Sequence, residues 1–427
     1  MPMGIARGNS GLGPPRARLL SGSRAATPMR SRPGACASPP SGNLLAPPRT
    51  LWTQNRGEIA AGVLDEAIEP EGEVDGEAEG EAITANHIDG SPFLSPISKG
   101  MHMRRIPIID LSEAHTGGLS ARQAVAREID RNCREVGFFT LACHGVPVAI
   151  REELRAKAHA FFALPLEEKR KAIHPVPETP RGYRAQGLES LAYANAGVAP
   201  PDLKEFYHFS RASWPNEPYY TGIAGKRYFI PNLWPSQPAG FADAAVAYYA
   251  EMEKLAAFMM RLAALAFDLD EHFFDDKFDR HISAMRLNLY PEQTTSPEAG
   301  QLRAGAHTDY GAFTILNGEN VPGGLQVLAK DGHWIDVETD PETFVVNIGD
   351  LLMRWTNDRW VSNSHRVVNP PPAIAARARR LSIAFFQQPN YDALIECIAP
   401  PGKAKYPPVQ SGEYRDLKYR QTTVAVA

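Results

Sequence analysis

The 427-residue chain has no apolar run approaching the roughly 20 residues that a membrane-spanning helix requires. Its longest apolar stretches, residues 255–260 and 262–267, are separated by Arg261, which predicts a soluble protein with no membrane partner. Only four cysteines occur (Cys36, Cys133, Cys143, Cys397), far apart and without a C-x-x-C pair. That spacing suggests neither a disulfide framework nor a thiolate metal site and fits a reducing, cytoplasmic compartment. A strong charge of one sign is also missing. With 45 Lys and Arg against 49 Asp and Glu, the net charge of −4 is too close to neutral for nucleic-acid binding through phosphate contacts. HExxH, GxSxG and GxxxxGK[ST] are absent as well, which removes the zincin, hydrolase-elbow and phosphate-loop readings.

What is present is unevenly distributed. Residues 1–57 hold eight arginines and no lysine or acid, whereas residues 58–89 hold eleven acids and no lysine or arginine. Such a composition cannot bury enough apolar surface to offset the entropy of ordering, so residues 1–100 are predicted to be a disordered or dispensable extension. The Arg-rich start has the composition of an organelle transit peptide, but its prolines and glycines would spoil an amphipathic helix. Residues 101–427, with 36 bases and 38 acids, are near neutral by themselves.

From Ile106 the chain becomes patterned. IPIID reads as a strand, SARQAVAREIDRNCREV as an amphipathic helix and GFFTLACHG as a buried strand; two further helices follow in VAIREELRAKAHAFFALP and LEEKRKAI, and a longer one spans residues 241–274. Beyond Ile282 short β-branched and aromatic runs alternate with Gly, Pro and Asn: AMRLNLYP, GAFTILN, GGLQVLA, HWIDVE, FVVNIGDLLMRW, HRVVNP, RLSIAFFQQP. The expected fold class is α+β, mainly β. A helical and strand region (101–280) leads into a sandwich or jelly-roll core (281–399), with a C-terminal tail (400–427).

The chemistry concentrates in His307-Thr308-Asp309, followed 56 residues later by His365. In a strand, residues i and i+2 share a face, so His307 and Asp309 can approach one metal ion, and His365 from a distant strand can complete three ligands. A 2-His-1-carboxylate set leaves coordination positions open and favours Fe(II). The triplet alone does not discriminate, since His87-Ile88-Asp89 in the extension has the same spacing. Arg380-Leu381-Ser382, fifteen residues after His365, adds a guanidinium and a hydroxyl on one strand face, a fork that can clamp a carboxylate. His144 and His208 read as hydrogen-bonded structural histidines.

These motifs, together with RGYRAQGLE, NLYP, GAHTDYGAFTIL, NIGD and WTNDRWVSNSHRVVNPP in this order, resemble the iron- and mostly 2-oxoglutarate-dependent dioxygenases of the isopenicillin N synthase type over residues 106–399. The resemblance implies a double-stranded β-helix with Fe(II) on His307, Asp309 and His365. It also implies 2-oxoglutarate on Arg380 and Ser382 with help from Tyr290 and Asn288, dioxygen as co-substrate, and a small-molecule substrate. It places Arg181, Tyr183, Phe206, Tyr207, Phe385 and Phe386 where relatives line the substrate pocket. Relatives of the isopenicillin N synthase kind direct their R-x-S pair at the substrate's own carboxylate, others form ethylene and succinate, and a non-catalytic binding module on the same fold is a further alternative.

Overall fold

The computed structural model describes residues 105–176, 179–191 and 200–422. The predicted extension, residues 1–100, lies outside them. In chain order the elements that position the site are β1 (Ile108–Asp110), α1 (Leu119–Glu135), β2 (Phe138–Ala142), α2 (Val148–Phe162), β3 (Gly182–Arg184), β4 (Glu205–Ser210), α3 (Phe241–Ala266), β5 (Ala284–Tyr290), β6 (Ala304–His307) and β7 (Phe313–Gly318). There follow β8 (Leu325–Leu328), β9 (Trp334–Asp336), β10 (Phe344–Ile348), α4 (Asp350–Trp355), β11 (His365–Val367), β12 (Arg380–Phe386) and α5 (Ser411–Thr422).

Eight strands form one sheet in the order β1-β2-β10-β7-β12-β5-β4-β3, and four form a second in the order β6-β11-β8-β9. Only β1 and β2 pair in parallel; the remaining ladders of both sheets are antiparallel. The large sheet is buried on both faces, and strand alternation divides its side chains between two cores. Phe344, Val346 and Ile348 of β10, Met285, Leu287 and Leu289 of β5, and Leu381, Ile383 and Phe385 of β12 pack in one cluster with α1, α2 and α3. Their neighbours Val345 and Tyr290, with Phe138, pack instead against Ala304, Leu325, Val327 and Val367 of the small sheet. The site therefore lies between the sheets, behind a helical layer.

That layer follows from periodicity. Tyr248, Met252, Leu255, Ala256 and Met259 of α3 recur at helical spacing and are all buried, each large side chain contributing about 1.5–3 kcal/mol. The helix ends at Ala266 rather than near residue 274, because Asp268 adopts a left-handed backbone (φ 57°) that stops it. Two strands, β3 and β4, were not expected from the pattern. The run FVVNIGDLLMRW divides at Gly349 into β10 and α4. Expected as a tail, residues 400–427 include α5, whose Lys418 Nζ sits 2.7 Å from Asp350. Among the described residues, no helix is long and apolar enough to cross a membrane.

His144 matches its structural reading. Its Nδ1 accepts the Val146 N–H (3.1 Å) and its Nε2 donates to the Glu342 carbonyl (3.2 Å), so the ring must be neutral. Burial, then the charge of Arg151, pulls its pKa down to about 4. The unfolded chain titrates near 6.5, so below that pH it takes up a proton that the native state refuses. Stability should thus fall by about 1.4 kcal/mol per pH unit between pH 6.5 and 4 on account of this residue. Denaturant melts of His144→Gln over that range should show a correspondingly shallower acid slope; an unchanged slope contradicts the assignment.

Candidate metal centre and carboxylate clamp

β6 and β11 pair so that His307 and His365 lie directly opposite each other, which brings their rings to 4.3 Å between centroids. Asp309, two residues beyond His307, points to the same place. His307 Nε2 lies 3.9 Å from Asp309 Oδ1, and His365 Nε2 lies 3.8 Å from Oδ2. Those separations exceed hydrogen-bond length, so the three groups converge without bonding one another and turn lone pairs toward a common point. One ligand atom from each falls within 4.8 Å of the others, a group that could hold a metal ion.

The tautomers suit this arrangement. A carbonyl can only accept, so the bond from His307 Nδ1 to Gly305 O (2.8 Å) places the proton on Nδ1 and leaves Nε2 as donor to a metal. The same reasoning applies to His365 Nδ1 and Asn363 O (3.3 Å). Burial, followed by the neighbouring His365, lowers the His307 pKa to about 3, so this imidazole stays neutral. Burial pushes the Asp309 carboxyl upward, but the two imidazoles, Thr314 and Asn347 outweigh it and hold the group below the usual range. Asn347 Nδ2 donates to Asp309 Oδ2 at 2.8 Å from the inner face of β10. The Asp309 carbonyl accepts the Asp350 N–H at 2.7 Å, and Asp350 in turn receives Thr308 and Ser362 hydroxyls. Gly349 permits this close approach: a Cβ there would lie 2.4 Å from the Gly311 carbonyl.

Along β12 and β5 the register sets Arg380 beside Tyr290 and Ser382 beside Asn288. Arg380 is only 1% exposed, so it is not the surface cation that Arg377 and Arg379 would suggest. Its Nε donates to Glu319 O (3.3 Å) and its Nη2 reaches Thr339 Oγ1 at 3.5 Å. The Glu319 carboxylate is occupied by the Leu381 N–H (2.7 Å) and His159 Nε2 (2.6 Å). Among the described residues, no carboxylate lies within ion-pair distance of Arg380, and Ser382 Oγ is buried with no partner. A buried guanidinium without an anion, next to an orphan hydroxyl, is an unsatisfied carboxylate receptor.

Only part of the expected substrate pocket is brought together here. Tyr183, Tyr207 and Phe385 belong to the helix-side core, where the Tyr183 hydroxyl donates to Glu205 (2.6 Å), the Tyr207 hydroxyl to the Leu233 carbonyl, and Phe385 packs on Tyr249. These three are corrected to core residues. Phe206 and Phe386 occupy the site face, flanking the Arg286 guanidinium at 4.3 and 5.9 Å. Arg181 is buried and donates to the carbonyls of Ile230, Pro180 and Tyr228.

A buried ion network went unread in the sequence. Lys204 Nζ lies 2.8 Å from both Asp202 and Glu189, and Arg286 grips both Glu189 oxygens at 3.0 and 3.1 Å. Arg286 and Lys204 overcome burial and hold the Glu189 pKa at about 2. Asp202 Oδ1 accepts the Gly305 N–H (2.9 Å), and Gly305 is the residue whose carbonyl orients His307. The available signal was PPDLKEFY, where charges run directly into an aromatic strand.

Comparison with known proteins agrees with this geometry. Residues 106–237 match the family described as the non-haem dioxygenase in morphine synthesis N-terminal, and residues 281–389 match the 2OG-Fe(II) oxygenase superfamily. The chain is 34% identical over 325 residues to a 2-oxoglutarate-Fe(II) type oxidoreductase, hxnY, of Emericella nidulans, covering 74% of this chain and 90% of that protein. It is 30% identical over 312 residues to a validamycin A dioxygenase of Streptomyces hygroscopicus subsp. limoneus, covering 72% and 84%. A full-length Neurospora crassa protein whose crystal structure contains alpha-KG superposes with a TM-score of 0.65 at 32% identity, over 75% of this chain and 97% of that one. The chain belongs to the 2OG-Fe(II) oxygenase superfamily. It is an Fe(II)- and 2-oxoglutarate-dependent dioxygenase that oxidises a small molecule with dioxygen, releasing succinate and carbon dioxide.

Proposed function

We propose that His307, Asp309 and His365 hold the Fe(II), and that Arg380 and Ser382, with Asn288 and Tyr290, hold the far carboxylate of 2-oxoglutarate. The observation that carries this reading is the presence of two incomplete sites, one on β6 and β11 of the small sheet and one on β12 of the large sheet that packs against it. Three lone-pair donors converge without bonding each other, and a buried cation with an orphan hydroxyl waits nearby. The donor set, two neutral imidazoles and one carboxylate on one face, suits Fe(II) and leaves positions open. Bound there, iron supplies the dioxygen chemistry that couples decarboxylation of 2-oxoglutarate to substrate oxidation. The chain's own part is positional: Gly305 and Asn363 carbonyls keep both Nδ1 atoms protonated, Asn347 steers the Asp309 carboxylate, and the Arg380 fork fixes the co-substrate's distance from the metal. The two sheets are read as a double-stranded β-helix, to which residues 101–280 contribute the outer strands β1 to β4. Of the six pocket residues, Arg181, Phe206 and Phe386 remain.

The test is succinate release. The purified chain should bind about one Fe(II) anaerobically and form succinate only with 2-oxoglutarate present, while zinc, which has no redox chemistry, should bind without supporting oxidation. Substrate oxidation that proceeds equally well without 2-oxoglutarate would assign Arg380 to the substrate's own carboxylate and overturn this reading.

A further inference from the structure

His208 departs from its structural reading. It lies on the site face of β4, opposite Arg286 of β5, is 3% exposed, and its Nε2 has no partner. Gly182, the residue after Arg181, pairs with His208 on its other side. Arg181 and Arg415 meet at Tyr228, whose carbonyl accepts Arg181 Nη2 (3.2 Å) and whose ring lies 4.6 Å from the Arg415 guanidinium. Burial, and then the charges of Arg286, Arg181, Arg415 and Arg184, hold the His208 ring well below its ordinary pKa.

Among the described residues, the neighbouring acids do not balance the charge of Arg286, Arg181 and Arg415. Glu189 is taken by Arg286 and Lys204. Asp416 serves both Arg227 (2.7 Å) and Arg415 (3.3 Å), and the Arg415 Nε is buried without a partner. Arg181 has no carboxylate within ion-pair distance among the described residues; it donates to carbonyls. Buried positive charge of this kind is costly until an anion joins it. The patch also adjoins the metal centre. The Arg415 guanidinium lies 5.6 Å from the Tyr419 ring, and Tyr419 packs on Tyr310, the residue after Asp309, at 5.5 Å between centroids. Arg286 stands two strand positions beyond Ser382, at Ala384, so a group bound there does not compete with the co-substrate clamp.

Resting on the iron and 2-oxoglutarate reading above, we propose that the substrate carries a carboxylate that docks against Arg181, Arg415 and the His208 Nε2–H, with its apolar remainder on Phe206 and Phe386. Guanidiniums and a ring N–H are donors matched to a carboxylate, and the two phenyl rings offer no polar partner to anything else.

Calorimetry on the full chain loaded anaerobically with Fe(II) tests this in two steps. 2-Oxoglutarate binding is measured first; its absence defeats the underlying reading and this proposal with it. Phenylacetate, 3-phenylpropionate and hexanoate are then titrated against their primary amides into the 2-oxoglutarate complex. At least one acid should bind about tenfold or more tightly than its amide. Arg415→Gln and Arg181→Gln should each remove most of that preference while 2-oxoglutarate affinity stays within about twofold. If 2-oxoglutarate binds but no acid exceeds its amide, including the case where neither binds, the proposal is overturned. Should a variant fail to fold, the acid and amide comparison on the wild type decides alone.

Discussion

His365→Ala is expected to lower substrate oxidation by about a thousandfold or more, equivalent to roughly 4 kcal/mol of transition-state stabilisation, while the protein remains folded. His307→Ala and Asp309→Ala should do the same. The reason is geometric: the three donors are held at 3.8–3.9 Å by strand pairing and by outer hydrogen bonds, so removing one leaves two donors that do not enclose a metal. Folding should survive because the ladder that pairs β6 with β11 is made by the backbone, and truncation of one partly buried ring costs about 1–3 kcal/mol. Iron stoichiometry, succinate release and circular dichroism on each variant check the three parts separately. Retained activity in His365→Ala would remove the centre as described. His87→Ala and Asp89→Ala, which share the H-x-D spacing, should leave turnover unchanged.

The second large effect concerns Arg380. Arg380→Lys keeps the charge but loses the planar fork, and should raise the apparent KM for 2-oxoglutarate at least about tenfold, roughly 1.4 kcal/mol, with iron affinity nearly unchanged. Arg380→Met goes further and separates two roles. It should abolish saturable 2-oxoglutarate binding, yet raise the melting temperature of the ligand-free protein, because it replaces a buried charge lacking an anion with an apolar chain. A melting temperature that falls sharply in Arg380→Met would mean that its bonds to Glu319 and Thr339 matter more to folding than the uncompensated charge does.

The candidate metal and clamp residues could be proposed from sequence because both motifs are local, Arg380 and Ser382 within β12, and His307 at the end of β6 with Asp309 two residues on. His307 with Asp309, and Arg380 with Ser382, need no knowledge of the partner strand to share a face. His365 reads as a third ligand from a distant strand, but its place directly opposite His307 was not legible, since it depends on a ladder between segments 58 residues apart. The pocket assignments failed by parity. Phe206 and Tyr207 are neighbours in one strand, as are Phe385 and Phe386, and neighbours point to opposite faces, so at most one of each pair can reach the site. Which one was hidden because β4 is buried at every position and carries no polar alternation to mark its sides. Lys204 and Asp202 escaped for a related reason. Ahead of an aromatic strand they read as a solvated entry, whereas the fold buries both and uses Asp202 to hold β6 at Gly305, two residues before His307.

The direct opposition of His307 and His365 has a consequence for how the chain finds its native state. Strands of four and three residues offer few backbone bonds, so their register rests on burying Ala304 and Val367 between the sheets, and a slip of one residue would turn both outward. Such a slip turns the His365 ring to the far side and dissolves the triad. A metal held by the proposed triad would add to that discrimination, favouring the true alignment by about 1.4 kcal/mol for every tenfold excess over its dissociation constant. Bound there, the ion would act as a proofreader of strand alignment before it acted as a catalyst.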